Sequence, residues 1–280
     1  MRLRLAPLAL LVVAALWGST FFMMKEAIQR QDVNSFLFTR FSIAVIAMLL
    51  IRPQVVKLFT RDMVAKGLIS GTFLAAGYIF QTFGLALTSA AVTGFITGLY
   101  VIATPLMAAL FLGQKISGKI WFYVALATCG LGLLSLHGWS MGRGELLVLA
   151  CALAYAAQII ALSKWSKGRD AYALTILQLI ACVVLSGLAT LINGYQMPPD
   201  AGVWGVAAFT AIFATALAFM IQTWSQAHIS ATKVAVILTM ETVFAAVFAV
   251  IFGGEHLTLK IVAGGTMVVT AMYMIVLEEA

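Results

Sequence analysis

Ten stretches of this chain are apolar over the length a helix needs to cross a lipid bilayer, and that pattern leaves few folds open. A spanning helix takes about 20 mainly apolar residues, with a range of roughly 17–25. Stretches 7–25, 35–51, 67–87, 92–113, 120–137, 146–163, 172–192, 203–224, 232–252 and 261–277 meet it. Turn or charge signals separate most of them, as at Arg52-Pro53, Lys115–Gly118, Gly142–Gly144, Lys164–Asp170 and Pro198–Asp200. Two joints, at Thr88-Ser89 and Ile229-Ser230, carry a weaker signal and are read as tight turns between antiparallel helices. A soluble alternative fails on composition. The chain is 63% hydrophobic and only 10% charged, against roughly 25% charged in an average soluble domain, so it could not cover itself with polar surface.

The net charge of +7 does not indicate nucleic acid, because the basic residues stand singly between apolar runs and form no patch. Their distribution instead orients the chain, since cytoplasmic loops are enriched in Lys and Arg. With the N-terminus inside, twelve basic residues fall on the cytoplasmic side and four (Lys25, Arg30, Arg143 and Lys260) on the other, with Arg40 left inside a helix. Both termini are therefore expected to be cytoplasmic. The first stretch could pass for a secretory signal, but no small-x-small cleavage site follows Leu16, where Trp17 and Phe21-Phe22 crowd the region, so it is read as the first span. Cys129, Cys151 and Cys182 lie in apolar runs without CxxC spacing, and His137, His228 and His256 are scattered, so neither a disulfide framework nor a metal site is expected. No GxxxxGK[ST] or other cofactor signature is present.

An internal repeat organises the spans. Residues 81–92 align with 222–233 at a shift of 141, matching Gln81-Thr82 with Gln222-Thr223, Ala86 with Ala227 and Ser89-Ala90 with Ser230-Ala231. Near the start of each half a shift of 138 pairs Trp17 with Tyr155 and Arg40 with Gln178. The expected domains are two five-helix units, 1–140 and 141–280. Five is odd, so the second unit enters the membrane inverted relative to the first. The expected fold is thus an all-α integral membrane protein of ten transmembrane helices in two inverted five-helix repeats, an architecture that places a site near the midplane between the halves.

The runs Trp17–Phe21, Phe38–Phe41, Thr97–Pro105 leading to Leu112–Gln114, and Thr239–Ala246 leading to Phe252–Thr258 together resemble the ten-helix EamA-type branch of the drug/metabolite transporter superfamily. Within it the overall similarity is to the YddG-like exporters of amino acids, without a motif diagnostic of substrate. The resemblance implies a multi-pass transporter of the bacterial-type inner membrane, and not an enzyme. Two positions depart from the family pattern: Gln114 stands where a Glu is usual, and Thr242 where a Pro follows Glu241. The second departure suggests a ninth span without a helix break at Glu241.

Charge inside hydrocarbon costs at least roughly 2.5–3.5 kcal/mol near a helix centre. Glu241 and Arg40 incur that cost, either as substrate or proton contacts or as interior anchors, Arg40 being near enough to one interface to snorkel. Polar residues at helical spacing mark inward faces: Thr93, Thr97, Tyr100 and Thr104; Tyr78 and Gln81; Thr175, Gln178 and Cys182; Thr266, Thr270 and Tyr273. Any one of these is compatible with simple interhelical packing, whereas all together call for a wet central cavity. Its expected lining is Trp17, Arg40, Tyr78, Gln81, Thr97, Tyr100, Tyr155, Gln178, Gln222, Thr239 and Glu241, with Pro105 as a kink and candidate hinge. The expected partners are the lipid bilayer, a small-molecule substrate and, through Glu241, protons. The expected activity is export of amino acids (aromatic or other apolar) or similar metabolites by alternating access. A broad-specificity drug or metabolite exporter or importer, and a non-transporting membrane sensor or structural protein, are the competing readings.

Overall fold

The computed structural model describes residues 2–135, 142–252 and 258–278. Those residues form helices α1 (Arg2–Arg30), α2 (Val33–Ile51), α3 (Arg61–Leu87), α4 (Ala90–Gly98), α5 (Tyr100–Leu112), α6 (Gly118–Ser135), α7 (Arg143–Trp165), α8 (Ala171–Asn193), α9 (Ala201–Ala211), α10 (Ala218–Gln226), α11 (Ala231–Leu238), α12 (Met240–Phe252) and α13 (Leu259–Glu278). A 3-10 turn, Pro53–Leu58, follows α2, and a π-helical turn, Ile212–Leu217, joins α9 to α10. No strand occurs among the described residues. Length and apolarity support eight membrane-crossing helices there, or nine if the two parts of α1, Leu5–Thr20 and Met23–Arg30, bent by 44°, count as one crossing. The expected ten exceeds what these criteria carry among the described residues, where α6 counts only as a shorter apolar helix, Gly118–Leu133. His137, Trp139, Glu255 and His256 lie outside the described residues.

Side-chain caps set the helix starts. Asp32, Thr60, Asp170 and Asp200 each accept a backbone N–H of the first turn that follows. The two weakly signalled joints are tight turns of the same kind: Ser89 and Ser230 are extended, with ψ of 155° and 154°, and cap Val92 and Lys233. These serines occupy equivalent places at the shift of 141. Gly113 closes α5 with φ of +64°, a left-handed conformation that a side chain disfavours, and its N–H returns to the Ala108 carbonyl.

Packing repeats between the halves. Helix α3 lies against α7 and α8, and the α9–α10 span lies correspondingly against α1 and α2. Likewise α4 and α5 meet α7 as α11 and α12 meet α1, while α2 pairs with α8 and α6 with α13 across the centre. Small residues permit the close crossings. On α3, Gly67 and Gly71 face Leu177, Gln178 and Ala181 of α8, and Gly77 and Gly84 face Tyr155 and Val148 of α7. The Gly67/Gly71 pair thus serves packing within the chain. Gly18 lies so near α12 that a Cβ there would be 2.6 Å from the Glu241 carbonyl oxygen.

The outer surface carries large apolar side chains, including Leu50 at 77% and Leu259 at 84% exposure, as a lipid-facing surface requires. Helix α13 contributes to this surface in an unexpected way. Thr266, Thr270 and Tyr273, expected to face inward, are exposed, and Gly264, Val268, Ala271 and Ile275 form the buried face. The smaller side chains win the crossing with α6, where a Cβ at Gly130 would stand 2.7 Å from the Gly264 carbonyl oxygen. At one end of the bundle Arg30 pairs with Asp200. At the other, Arg52 pairs with Asp170, and Asp62 bridges Lys66 and Arg169. These pairs are partly to largely solvent-exposed, where screening by water leaves an ion pair little net effect on stability.

Gly71→Val should separate α3 from α8, because its Cβ would meet the Gln178 carbonyl oxygen at 2.5 Å and backbone has no rotamer to yield. We expect a clear fall in the thermal midpoint of the detergent-solubilised protein, read by fluorescence-detected size exclusion. Gly205→Ala, with nothing within 4 Å, should leave the midpoint unchanged.

Candidate functional site

Two spans tighten locally near matching places in the two halves. Between α4 and α5 this happens at Leu99, and between α11 and α12 at Thr239, both with right-handed helical φ and ψ near zero, while Val92–Leu112 and Ala231–Phe248 each continue as one apolar stretch. Pro105 sits inside α5. The second span, where Thr242 stands in place of a proline, runs as one apolar stretch, Ala231–Phe248. Thr239 and Thr242 return their hydroxyls to the carbonyls of Val236 and Thr239, at 2.6 and 2.8 Å. Such back-bonding competes with the helix ladder and bends it. Tyr100 follows Leu99 directly in one half and Glu241 follows Thr239 two residues on in the other, and both side chains line the central cavity.

These side chains open onto a cavity between the halves, with about 540 Å³ of empty space including its open mouth. Trp17, Arg40, Tyr78, Gln81, Thr97, Tyr100, Tyr155, Gln222 and Glu241 line it, and so do Thr20, Met24, Gln158, Ile159, Phe219 and Leu238. The lining repeats with the chain. At the shift of 141, Tyr78, Gln81, Thr97 and Tyr100 correspond to Phe219, Gln222, Leu238 and Glu241, and at 138 Trp17 and Thr20 correspond to Tyr155 and Gln158. Thr20, Gln158, Phe219 and Leu238 were missed by sequence reasoning, yet extending each alignment by a few residues would have found them. Met24 and Ile159 carried no signal separating them from ordinary apolar packing.

Two expected lining residues stand elsewhere. Gln178 is fully buried one layer back, where its side-chain amide donates to Thr223 Oγ1 at 3.2 Å and accepts from Gln158 Nε2 at 3.0 Å. The Thr239 hydroxyl is occupied by its own helix, as above. Both support lining groups rather than forming the wall.

Arg40 is 1% exposed and does not snorkel to an interface. Its Nε donates to Thr215 Oγ1 at 2.7 Å, and its Nη2 to Tyr78 Oη at 3.2 Å and the Ala214 carbonyl at 3.4 Å. Among the described residues its Nη1 reaches the Met24 thioether sulfur alone, at 3.1 Å. The guanidinium carbon lies 4.8 Å from the centroid of the Tyr78 ring, within cation–π range. None of the ion pairs among the described residues involves Arg40 or Glu241. The cavity therefore holds one cation and one carboxylate, each without an ionic partner of the protein's own there.

Amides and aromatics complete the wall. Tyr155 donates to Gln81 Oε1 at 3.1 Å, and Gln81 Nε2 to Thr97 Oγ1 at 3.2 Å; Gln222 Nε2 donates to Gln158 Oε1 at 3.2 Å and to Gln226 Oε1 at 3.1 Å. Tyr78 stands edge-on to Tyr155 and Phe219, with centroids 5.8 and 5.9 Å apart. The absent side chain of Gly77 makes room for the Tyr155 ring. Tyr100 Oη and Gln222 Oε1 are buried with no hydrogen-bond partner among the described residues, although both belong to residues of the cavity wall. Buried polar atoms are rarely left so, and at a cavity they mark where a bound molecule or water completes the set.

Comparison with known proteins supports a transport architecture. The model of the EamA-like transporter family matches residues 4–136 and again 142–277. A protein of Archaeoglobus fulgidus named an uncharacterized transporter is 33% identical over 274 residues, covering 98% of this chain and 86% of its own length. A solved crystal structure with 17% identity superposes with a TM-score of 0.79 over 97% of this chain and 96% of its own, a likeness of fold alone. With both halves matched by one family model and a full-length relative that shares a third of its residues, this chain belongs to the EamA-like transporter family.

Proposed function

We propose that this protein is an inner-membrane exporter of amino acids, aromatic or other apolar, or of similar small amphipathic metabolites. It works by alternating access, with ten spans in two inverted halves and both termini cytoplasmic. The observation that carries this reading is the pairing of Arg40 and Glu241 on one cavity wall set, neither with an ionic partner among the described residues. A zwitterion supplies both missing partners at once, its carboxylate to the guanidinium and its ammonium to Glu241. A buried charge left alone is costly, so a ligand carrying the complementary pair gains more than a neutral one of the same size. The aromatic wall of Trp17, Tyr78, Tyr155 and Phe219 suits an apolar side chain and attracts an ammonium.

Alternation follows from the repeated lining. Equivalent positions of the two halves meet in one cavity, so exchanging their conformations would open the same site to the other side without moving it. The tightened turns at Leu99 and Thr239 lie beside that site. Proton coupling, where it operates, runs through Glu241, the sole carboxylate of the lining.

In proteoliposomes, counterflow of radiolabelled phenylalanine should be saturable and should fall at least about tenfold in Arg40→Leu, since a hydrogen-bonded ionic contact is worth roughly 1.5–3 kcal/mol. Saturable flux of hydrophobic cations with none of any amino acid would replace this substrate class with a drug-exporter reading. A second expectation concerns protons: Glu241→Gln should remove the pH dependence of flux, and a variant that keeps the wild-type profile would end the coupling role.

A further inference from the structure

We infer that the π-helical turn Ile212–Leu217 makes Arg40 a carboxylate receptor, by fixing one edge of its guanidinium and leaving the other for the ligand. The inference rests on the reading of the cavity as the substrate path and names the group that Arg40 receives. Elsewhere in the described chain the spans are α-helical, with the one 3-10 turn lying in the link after α2. A single widened turn inside a span is uncommon and is often found where a helix serves a site.

Here the widened turn supplies both backbone and side-chain acceptors to the cavity wall. The Ala214 carbonyl accepts from Trp17 Nε1 at 2.8 Å and from Arg40 Nη2 at 3.4 Å, and Thr215 Oγ1, fully buried, accepts from Arg40 Nε at 2.7 Å. Tyr78 Oη takes the other contact of Nη2. The Nε–Nη2 edge is thereby satisfied by neutral acceptors. Among the described residues the Nη1 end has only the Met24 sulfur, a weak acceptor for a charged donor, and Met24 itself lines the cavity. Carboxylate oxygens form charge-assisted hydrogen bonds to a guanidinium that are roughly twice as strong as neutral ones, so an anionic oxygen displaces the thioether. Thr215 is thus a positioning residue: it does not touch the ligand, but it holds Nε so that Nη1 points at it. The equivalent position in the first half at the shift of 141 is Leu74, so this device exists in one half only and gives the site a fixed polarity.

Three probes that differ in charge test this by equilibrium binding to the purified protein in nanodiscs: phenylpropionate, phenethylamine and phenylalanine. Thr215→Val, which keeps the shape and removes the acceptor, should weaken phenylpropionate and phenylalanine about tenfold while leaving phenethylamine unchanged, and Thr215→Ser should restore both. Unchanged phenethylamine binding also reports that the variant is folded. Equal weakening of all three, or no weakening of the two carboxylates, overturns the inference, as does a wild-type protein that binds no carboxylate. Thr215-dependent carboxylate binding together with no amino-acid counterflow would leave the receptor assignment standing and remove the amino-acid transport reading instead.

Discussion

A guanidinium held away from water with no carboxylate beside it is the interaction around which the centre of this protein is arranged. Stripping a charge of its hydration is tolerable only where hydrogen-bond acceptors and polarisable groups replace the lost water. Arg40 draws these from four sources: a threonine, a phenol, a backbone carbonyl and a thioether. They come from α1, α3 and the π-turn as well as from the face of the Tyr78 ring, so the helices that surround the cavity are tied to one charge.

The second organising constraint is the repeat. Two halves of one design, facing each other, bring equivalent residues to a common centre, and the cavity is bounded by such pairs. The chemistry of these wall pairs has diverged: Tyr100 in one half corresponds to Glu241 in the other, and Thr97 to Leu238, whereas Arg40 lines the cavity and its counterpart Gln178 stands behind it. Symmetry therefore locates the site, and departures from symmetry give it charge. A site with its cation contributed by one half and its carboxylate by the other can orient a dipolar ligand, which a strictly symmetric site could not.

Local helix geometry is subordinate to this centre. Both tightened turns come just before a residue of the cavity wall, and beside Glu241 the hydroxyls of Thr239 and Thr242 return to carbonyls of their own turn. Hydroxyls bonded in this way compete with the helix ladder. Pro105, by contrast, is absorbed within α5.

The apolar stretches, the tight turns at Ser89 and Ser230, the internal repeat and the membrane-buried Arg40 and Glu241 were all legible in the amino-acid order. Each depends on local periodicity or on the cost of charge in hydrocarbon, and neither needs knowledge of neighbours. Whether a polar face turns inward is a different kind of question. The Thr266, Thr270 and Tyr273 stripe of α13 has the same spacing as the buried stripe of α4 and α5, yet it faces outward because glycine and alanine on the opposite face allow a closer crossing with α6. Likewise only the folded chain decided that Gln178 stands behind the wall, that Met24 and Ile159 complete it, and that Thr215 in a π-turn holds Arg40. Sequence determines which residues can enter the bilayer interior; which of them meet is decided by helix packing, because contact between distant segments depends on the shapes of both surfaces at once.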